Sequence, residues 1–258
     1  MQLAEERRQS IVDAVEQDGR VLAAELAQRL GTSEDTIRRD LRDLDAAGLL
    51  RRVHGGAVRR GPLPSFGERA ASDLPRKAAL AQMLRDCVCP GDTVLIDAGS
   101  TNLALARLLE DGQAATIVTN SPQLALALGE FRRTRIVLLG GTYSAAQGAV
   151  MGARTLAELQ GLRADLCIVG ICAIDPERGL ATVDAEEAAI KAAMLAGSAR
   201  CAAAVLNERL GDSASFLFGR LAELDHLVLE ADAPPDVIAR LLQTAPALDI
   251  QLAAKVRS

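Results

Sequence analysis

The chain has 258 residues and a formal net charge of −5, with 49% hydrophobic and only 2% aromatic residues. That length and apolar content allow a sizeable core, in one large domain or a small one joined to a larger one. No apolar run approaches the roughly 18 residues that cross a bilayer, and the opening MQLAEERRQS has no apolar signal stretch. A cytoplasmic protein with no membrane partner is therefore expected. The scarcity of aromatic rings disfavours single-stranded DNA or RNA as a partner, since these are bound on stacking platforms. Five cysteines (Cys87, Cys89, Cys167, Cys172 and Cys201) contain one close pair, with no second pair or nearby histidine to complete a metal site. Reduced thiols, no metal and no cofactor are expected.

In chain order, the first helix is predicted from Ala4 to Gln17, with Ile11, Val12 and Val15 on one face and Asp18-Gly19 ending it. A second runs from Ala23 to Leu30 and is closed by Gly31. Thr32-Ser33 then cap a third, Ser33 to Leu44, which buries Ile37, Leu41 and Leu44 and stops at Gly48. Two helices joined by a short glycine turn suggest a helix-turn-helix. The strand-like Leu49–Val53, the turn His54-Gly55-Gly56 and the returning Ala57–Arg60 add a basic wing. Residues 1–60 carry 11 arginines and 11 acidic residues, but 36–60 hold seven arginines against three aspartates. The basic footprint is local, as a small module reading double-stranded DNA requires. Candidate DNA-contacting residues are Ser33, Glu34, Thr36, Arg38, Arg39 and Arg42 on the recognition helix, with Arg51, Arg52 and His54 on the wing. Arginine forks match guanine edges in the major groove and also neutralise phosphates.

Residues 61–75 hold three prolines and two glycines and are read as a linker. Residues 76–258 then alternate. Helices are expected at 76–88, 101–109, from Ser121-Pro122 and at 184–196. Strands are expected at 93–97, 115–119, 135–139, 165–170, 200–206, 226–229 and 249–252. The fold class that follows is α/β: an N-terminal winged helix-turn-helix, then a mostly parallel, Rossmann-like α/β domain.

Thr36-Ile37-Arg38-Arg39-Asp40-Leu41 and Gly48-Leu49-Leu50-Arg51-Arg52-Val53-His54-Gly55-Gly56-Ala57 resemble the signature of DeoR-type bacterial transcriptional regulators. The resemblance continues to about residue 230. It implies a repressor, in some cases an activator, of a sugar or related metabolic operon, working as a dimer or tetramer. It also implies a sensor domain similar in fold to ribose-5-phosphate isomerase and coenzyme A transferases.

Ligands of open α/β sheets bind beyond the carboxyl ends of strands. Three successive ends here are small and polar: Asp97-Ala98-Gly99-Ser100-Thr101-Asn102, Thr119-Asn120-Ser121 and Gly140-Gly141-Thr142. Such turns bind anions through backbone N–H groups, so a small phosphorylated sugar or similar effector is expected. Candidate effector residues are Asp97, Gly99, Ser100, Thr101, Asn120, Ser121, Gly140 and Gly141, with Asp184, Glu186 and Lys191 from the later helix. Lys77 and Lys191 are two of only three lysines beside 26 arginines. No G-x-G-x-x-G or Walker A motif is present, and no base-plus-stabiliser set suggests catalysis. A domain that only oligomerises, and an isomerase-type enzyme, stay as alternatives. The first rests on departures from the family: Asn207-Glu208-Arg209-Leu210-Gly211 stands where an Asp-Ser-Ser-Lys-like stretch is usual, and Cys172-Ala173 alters a usual glycine.

Overall fold

The computed structural model describes all residues except 1–3, 19, 54, 60–63, 212–213 and 256–258, and only the backbone at 17, 18, 20, 51, 53, 58 and 59. It divides into two compact units, residues 1–63 and 64–258.

The first unit contains α1 (Ala4–Asp18), β1 (Arg20–Leu22), α2 (Ala23–Arg29), α3 (Glu34–Ala46), β2 (Leu50–Val53) and β3 (Gly56–Arg59). Its core is Ile11 and Val15 from α1, Leu26 from α2, and Ile37, Leu41 and Leu44 from α3, closed by Leu50 and Ala57. The Ser33 hydroxyl caps α3, accepting from the Thr36 N–H at 3.3 Å. The wing is three-stranded, in the order β1-β3-β2 and antiparallel throughout. β1 is too short for any alternation to be read from sequence. Its approach to β3 requires Gly56, where a Cβ would fall 2.0 Å from the Val21 carbonyl oxygen.

The second unit begins with α4 (Phe66–Ala71) and α5 (Leu74–Arg85). Then follow β4 (Thr93–Ile96), α6 (Ser100–Ala106), β5 (Thr116–Thr119), α7 (Pro122–Ala127) and β6 (Arg135–Leu138). A hairpin, β7 (Thr142–Ser144) and β8 (Ala149–Met151), leads to α8 (Ala153–Gln160), β9 (Ala164–Ile168), β10 (Ala173–Asp175) and β11 (Gly179–Thr182). The remainder is α9 (Ala185–Ala196), β12 (Ser198–Ala204), β13 (Phe216–Gly219), β14 (His226–Leu229), α10 (Pro235–Thr244) and β15 (Asp249–Leu252).

Seven strands form one parallel sheet in the order β15-β14-β12-β9-β4-β5-β6. Helices cover both faces. Val94, Ile96, Ile117, Leu166 and Ile168 pack with Leu80, Leu84, Leu105 and Leu124 on one side. Leu95, Val118, Cys167 and Leu227 pack with Leu159, Ile190, Met194 and Leu241 on the other. Burial on both faces explains why these strands read as continuous apolar runs. The chain leaves β4 toward β6 and returns to β9 on the opposite side, so strand order reverses between β4 and β9. β10, β11 and β13 form a separate antiparallel sheet.

The segment read as a linker needs correction. From Ser65 onward it is built into the second unit. Ser65 and Glu68 form a capping box at the start of α4, and Phe66 is buried in the core. Phe66 covers Gly148 so closely that a Cβ there would lie 2.2 Å from the ring. Proline and glycine content described the entry to this helix, but the burial of Phe66 decides its structure.

Candidate nucleic-acid interface and effector site

With Ile37, Leu41 and Leu44 inward, α3 exposes Glu34, Arg38, Arg39 and Arg42, while Thr36 is half-buried. Arg38 pairs with Glu34 at 2.9 Å, one turn back. Among the described residues no carboxylate pairs with Arg39 or Arg42, so both guanidiniums are available to a partner. Ser33 and Thr36 hydroxyls share a 2.9 Å hydrogen bond at the start of the helix. On the wing Arg52 is exposed, the backbone of Arg51 lies in β2, and His54 falls outside the described residues.

Asp40 belongs to the same helix but is buried, and sequence reasoning did not single it out. Its carboxylate accepts from Arg7 Nε at 2.5 Å and Arg8 Nε at 3.1 Å, and Arg8 also reaches Asp43. These pairs tie α1 to the back of α3 and hold the Arg7 guanidinium above its ordinary pKa, chiefly through the hydrogen bond to Asp40. Asp40 falls three residues after Ile37, so helical spacing alone could have placed it inward.

In the second unit strand order reverses between β4 and β9, which brings the residues after their carboxyl ends together. Asp97 follows β4 and Gly170 lies two residues beyond β9. The Asp97 carboxylate accepts from the Gly170 N–H at 2.9 Å and from the Lys191 ammonium. Lys191 also donates to the Gly170 carbonyl at 2.7 Å and pairs with Glu187 at 3.2 Å. Both Lys191 and Asp97 are almost wholly buried. Burial opposes the lysine's charge, but Asp97 and Glu187 outweigh it, so Lys191 stays protonated well above its ordinary range. Asn120 accepts from the Ala98 N–H at 2.8 Å, and Ser121 donates to the Gly148 carbonyl at 3.3 Å. Gly99, Ser100 and Thr101 open α6 beside them.

Other candidates are engaged elsewhere. The Gly140 N–H is taken by Glu158 at 2.8 Å, and its carbonyl accepts from Thr155 at 2.7 Å. A Cβ on Gly141 would meet Thr155 and the Met151 carbonyl. Asp184 caps α9 by accepting from the Glu187 N–H at 2.9 Å, and Glu186 is exposed beside it.

The same end of the sheet collects three further cations. Lys77 is buried, and its ammonium donates to the carbonyls of Arg69 and Ser72, the latter at 2.7 Å. Arg69 donates to the carbonyls of Pro64, Ala146 and Gln147. Arg209 reaches the Cys172 carbonyl at 3.4 Å. Among the described residues none of the three has an ion-pair partner. Asp73, Glu208 and Glu230 are held by Arg76, and Asp97 and Glu187 by Lys191. Burial pulls the Arg69 guanidinium below its ordinary pKa, and Arg209 adds to the effect. Lys77 is lowered in the same way, by burial and then by Arg209 and Arg69 against the opposing Asp73. Arg69 was missed in sequence because it lay inside the apparent linker.

A family model described as the DeoR C terminal sensor domain matches residues 72–231, and one described as the DeoR-like helix-turn-helix domain matches 7–61. The chain is 33% identical to the HTH-type transcriptional regulator GlpR of Haloferax volcanii, over 91% of this chain and 94% of that one. It is 31% identical to the glycerol-3-phosphate regulon repressor of Escherichia coli, over 96% and 98%. The chain belongs to the DeoR family. It is thus a DNA-binding transcriptional regulator, not an enzyme. Among solved structures, the sorbitol operon regulator SorC of Klebsiella pneumoniae covers 93% of the chain and 99% of its own length, at 15% identity and a TM-score of 0.37. Among the described residues of this DeoR-family chain no helix is long and apolar enough to cross a membrane.

Proposed function

We propose that this DeoR-family regulator is a cytoplasmic repressor of a sugar-related operon, released from its operator by a small phosphorylated metabolite bound in the second unit. The observation that carries the effector reading is the trio Arg69, Lys77 and Arg209. Among the described residues these partly buried cations have no ion-pair partner, and they lie at the end of the sheet where strand order reverses. A phosphate monoester would neutralise them through charge-assisted hydrogen bonds. Asp97, Asn120 and Ser121, with Gly99, Ser100 and Thr101, would face its hydroxyl groups. Lys191 would serve as a fixed floor, and Asp184 and Glu186 would border the rim. Arg209 supplies a cation in the altered 207–211 stretch. The names of the relatives, one a glycerol-3-phosphate regulon repressor, agree with this chemistry.

On the DNA side, Ser33, Thr36, Arg38, Arg39 and Arg42 would enter the major groove, while Arg51, Arg52 and His54 would follow the backbone. Glu34 would orient Arg38. A dimer or tetramer would read repeated half-sites. One observation favours the second reading, a domain that only oligomerises: Lys191 is buried with its ammonium already taken by Asp97, Glu187 and the Gly170 carbonyl.

The test is fluorescence anisotropy on a duplex from the promoter of the chain's own gene, with and without glycerol 3-phosphate, hexose phosphates or inorganic phosphate. The expected result is salt-sensitive binding, weakened by at least one ester that also raises the melting temperature. Absence of binding at low salt would overturn the repressor assignment. Binding that ignores every ester, with no thermal shift, would favour the oligomerisation reading.

A further inference from the structure

We propose that Arg69 is a latch that carries the effector signal to the DNA-binding unit, exchanging the Pro64 carbonyl for the effector's phosphate. This rests on the effector reading above and adds the route by which occupancy is reported.

Chain order places the latch. The first unit ends at residue 63 and the second begins at Pro64. Two residues later α4 starts, and Arg69 sits on it. Its guanidinium folds back to the Pro64 carbonyl, at the first residue of the second unit. Among the described residues it also donates to the Ala146 carbonyl at 3.3 Å and the Gln147 carbonyl at 3.5 Å, and lies over the Phe66 ring at 6.0 Å. All three acceptors are neutral. A phosphate monoester offers a guanidinium paired, charge-assisted bonds that a carbonyl cannot match.

The rest of α4 is held, so the exchange has a defined consequence. Lys77 clamps its last turn through the carbonyls of Arg69 and Ser72. Phe66 is packed over Gly148, and its N–H donates to the Ala146 carbonyl at 2.9 Å. The turn at 146–148 rests in turn on the candidate effector residues. Ser121 donates to the Gly148 carbonyl at 3.3 Å, and the Val150 N–H donates to the Asn120 carbonyl at 2.7 Å. With both ends of the helix pinned to the site, the contact free to change is the one to Pro64. Occupancy would therefore alter the constraint on the start of the second unit. An effector that binds the unlatched state more tightly would shift the whole regulator toward it.

The test uses the full chain, labelled operator duplex, and glycerol 3-phosphate and inorganic phosphate as probes. In wild type, saturating ester is expected to lower operator affinity about tenfold. In Arg69→Ala the ratio of affinities with and without ester should fall toward one. Arg69→Lys should keep an ester-induced thermal shift yet lose most of that ratio, because an ammonium lacks the fork. Full release in Arg69→Ala would overturn the latch and leave the effector reading standing. No thermal shift and no release in wild type, with any probe, would overturn the effector reading and the latch together. Hydrogen exchange on wild type guards against a variant that fails to fold. Ester should speed amide exchange at the start of the second unit, at Ser65, relative to a peptide covering the held helix 66–72, and an unchanged ratio alongside operator release would refute the proposal.

Discussion

Arg39 and Arg42 differ from Arg38 in one respect that matters for DNA. Arg38 is paired with Glu34, an exposed contact worth about 0.3–0.5 kcal/mol, whereas among the described residues the other two guanidiniums have no carboxylate to leave. Arg39→Ala and Arg42→Ala are expected to weaken operator binding by about 1–3 kcal/mol each in an anisotropy titration. If both leave affinity unchanged, this face of the helix does not enter the groove. Lys191 is the opposite case, a charge wholly enclosed by its partners. Lys191→Met leaves Asp97 buried without a counter-ion and should cost about 3–5 kcal/mol in urea unfolding. Because Lys191 is raised above its ordinary 10.5 in the fold, its stabilisation is complete below that value and is lost only as pH rises beyond it. Burial already pushes the Asp97 carboxyl up, with Lys191 opposing it, so in Lys191→Met that carboxyl is forced to stay protonated and the difference from wild type should grow as pH rises from about 6 to 9. A difference that stays level or shrinks through that window would show that the two do not hold each other charged.

Single contacts decide how several elements meet. Asp40 joins α3 to α1 through two arginines, so the recognition helix is braced from behind by charge as well as by its apolar stripe. The wing depends on backbone approach: β1 reaches β3 only because position 56 lacks a Cβ. Gly56→Ala should push β1 off the sheet, costing about 1–3 kcal/mol by thermal melting, and it should weaken operator binding through the displaced wing. Wild-type melting and wild-type affinity in that variant would show that β1 contributes nothing. In the second unit α4 is the instructive element. Its six residues have no readable periodicity and follow a proline-rich stretch, so local signals suggest a connector. Phe66, Lys77 and the Ser65–Glu68 box make it part of the sheet's end instead.

For the molecule as a whole, an acidic body carries a locally basic reader. Excess negative charge disfavours loose association with DNA, while the proposed contact strip from Thr36 to Arg60 would concentrate the attraction locally. Operator affinity should fall linearly on a log–log plot against salt, with a slope set by the phosphates contacted. Arg52→Ala, at an exposed wing position, should reduce that slope by about one, with similar losses on specific and unrelated duplexes. An unchanged slope would remove the wing from the phosphate backbone.

The amino-acid sequence by itself determined the two architectures. The recognition helix, the basic strip and the alternation of buried strands with helices are local patterns, written in spacing and charge within a dozen residues of one another. Asp97, Asn120, Ser121 and Lys191 were legible as candidates because strand ends and rare lysines stand out along a chain. Tertiary structure alone decided which of these meet. Lys191 reaches Asp97 across 94 positions of sequence, Gly140 is diverted to α8, and Arg69, Lys77 and Arg209 converge from three separate segments. Convergence of that kind depends on the order in which strands enter the sheet, and no local period encodes that order.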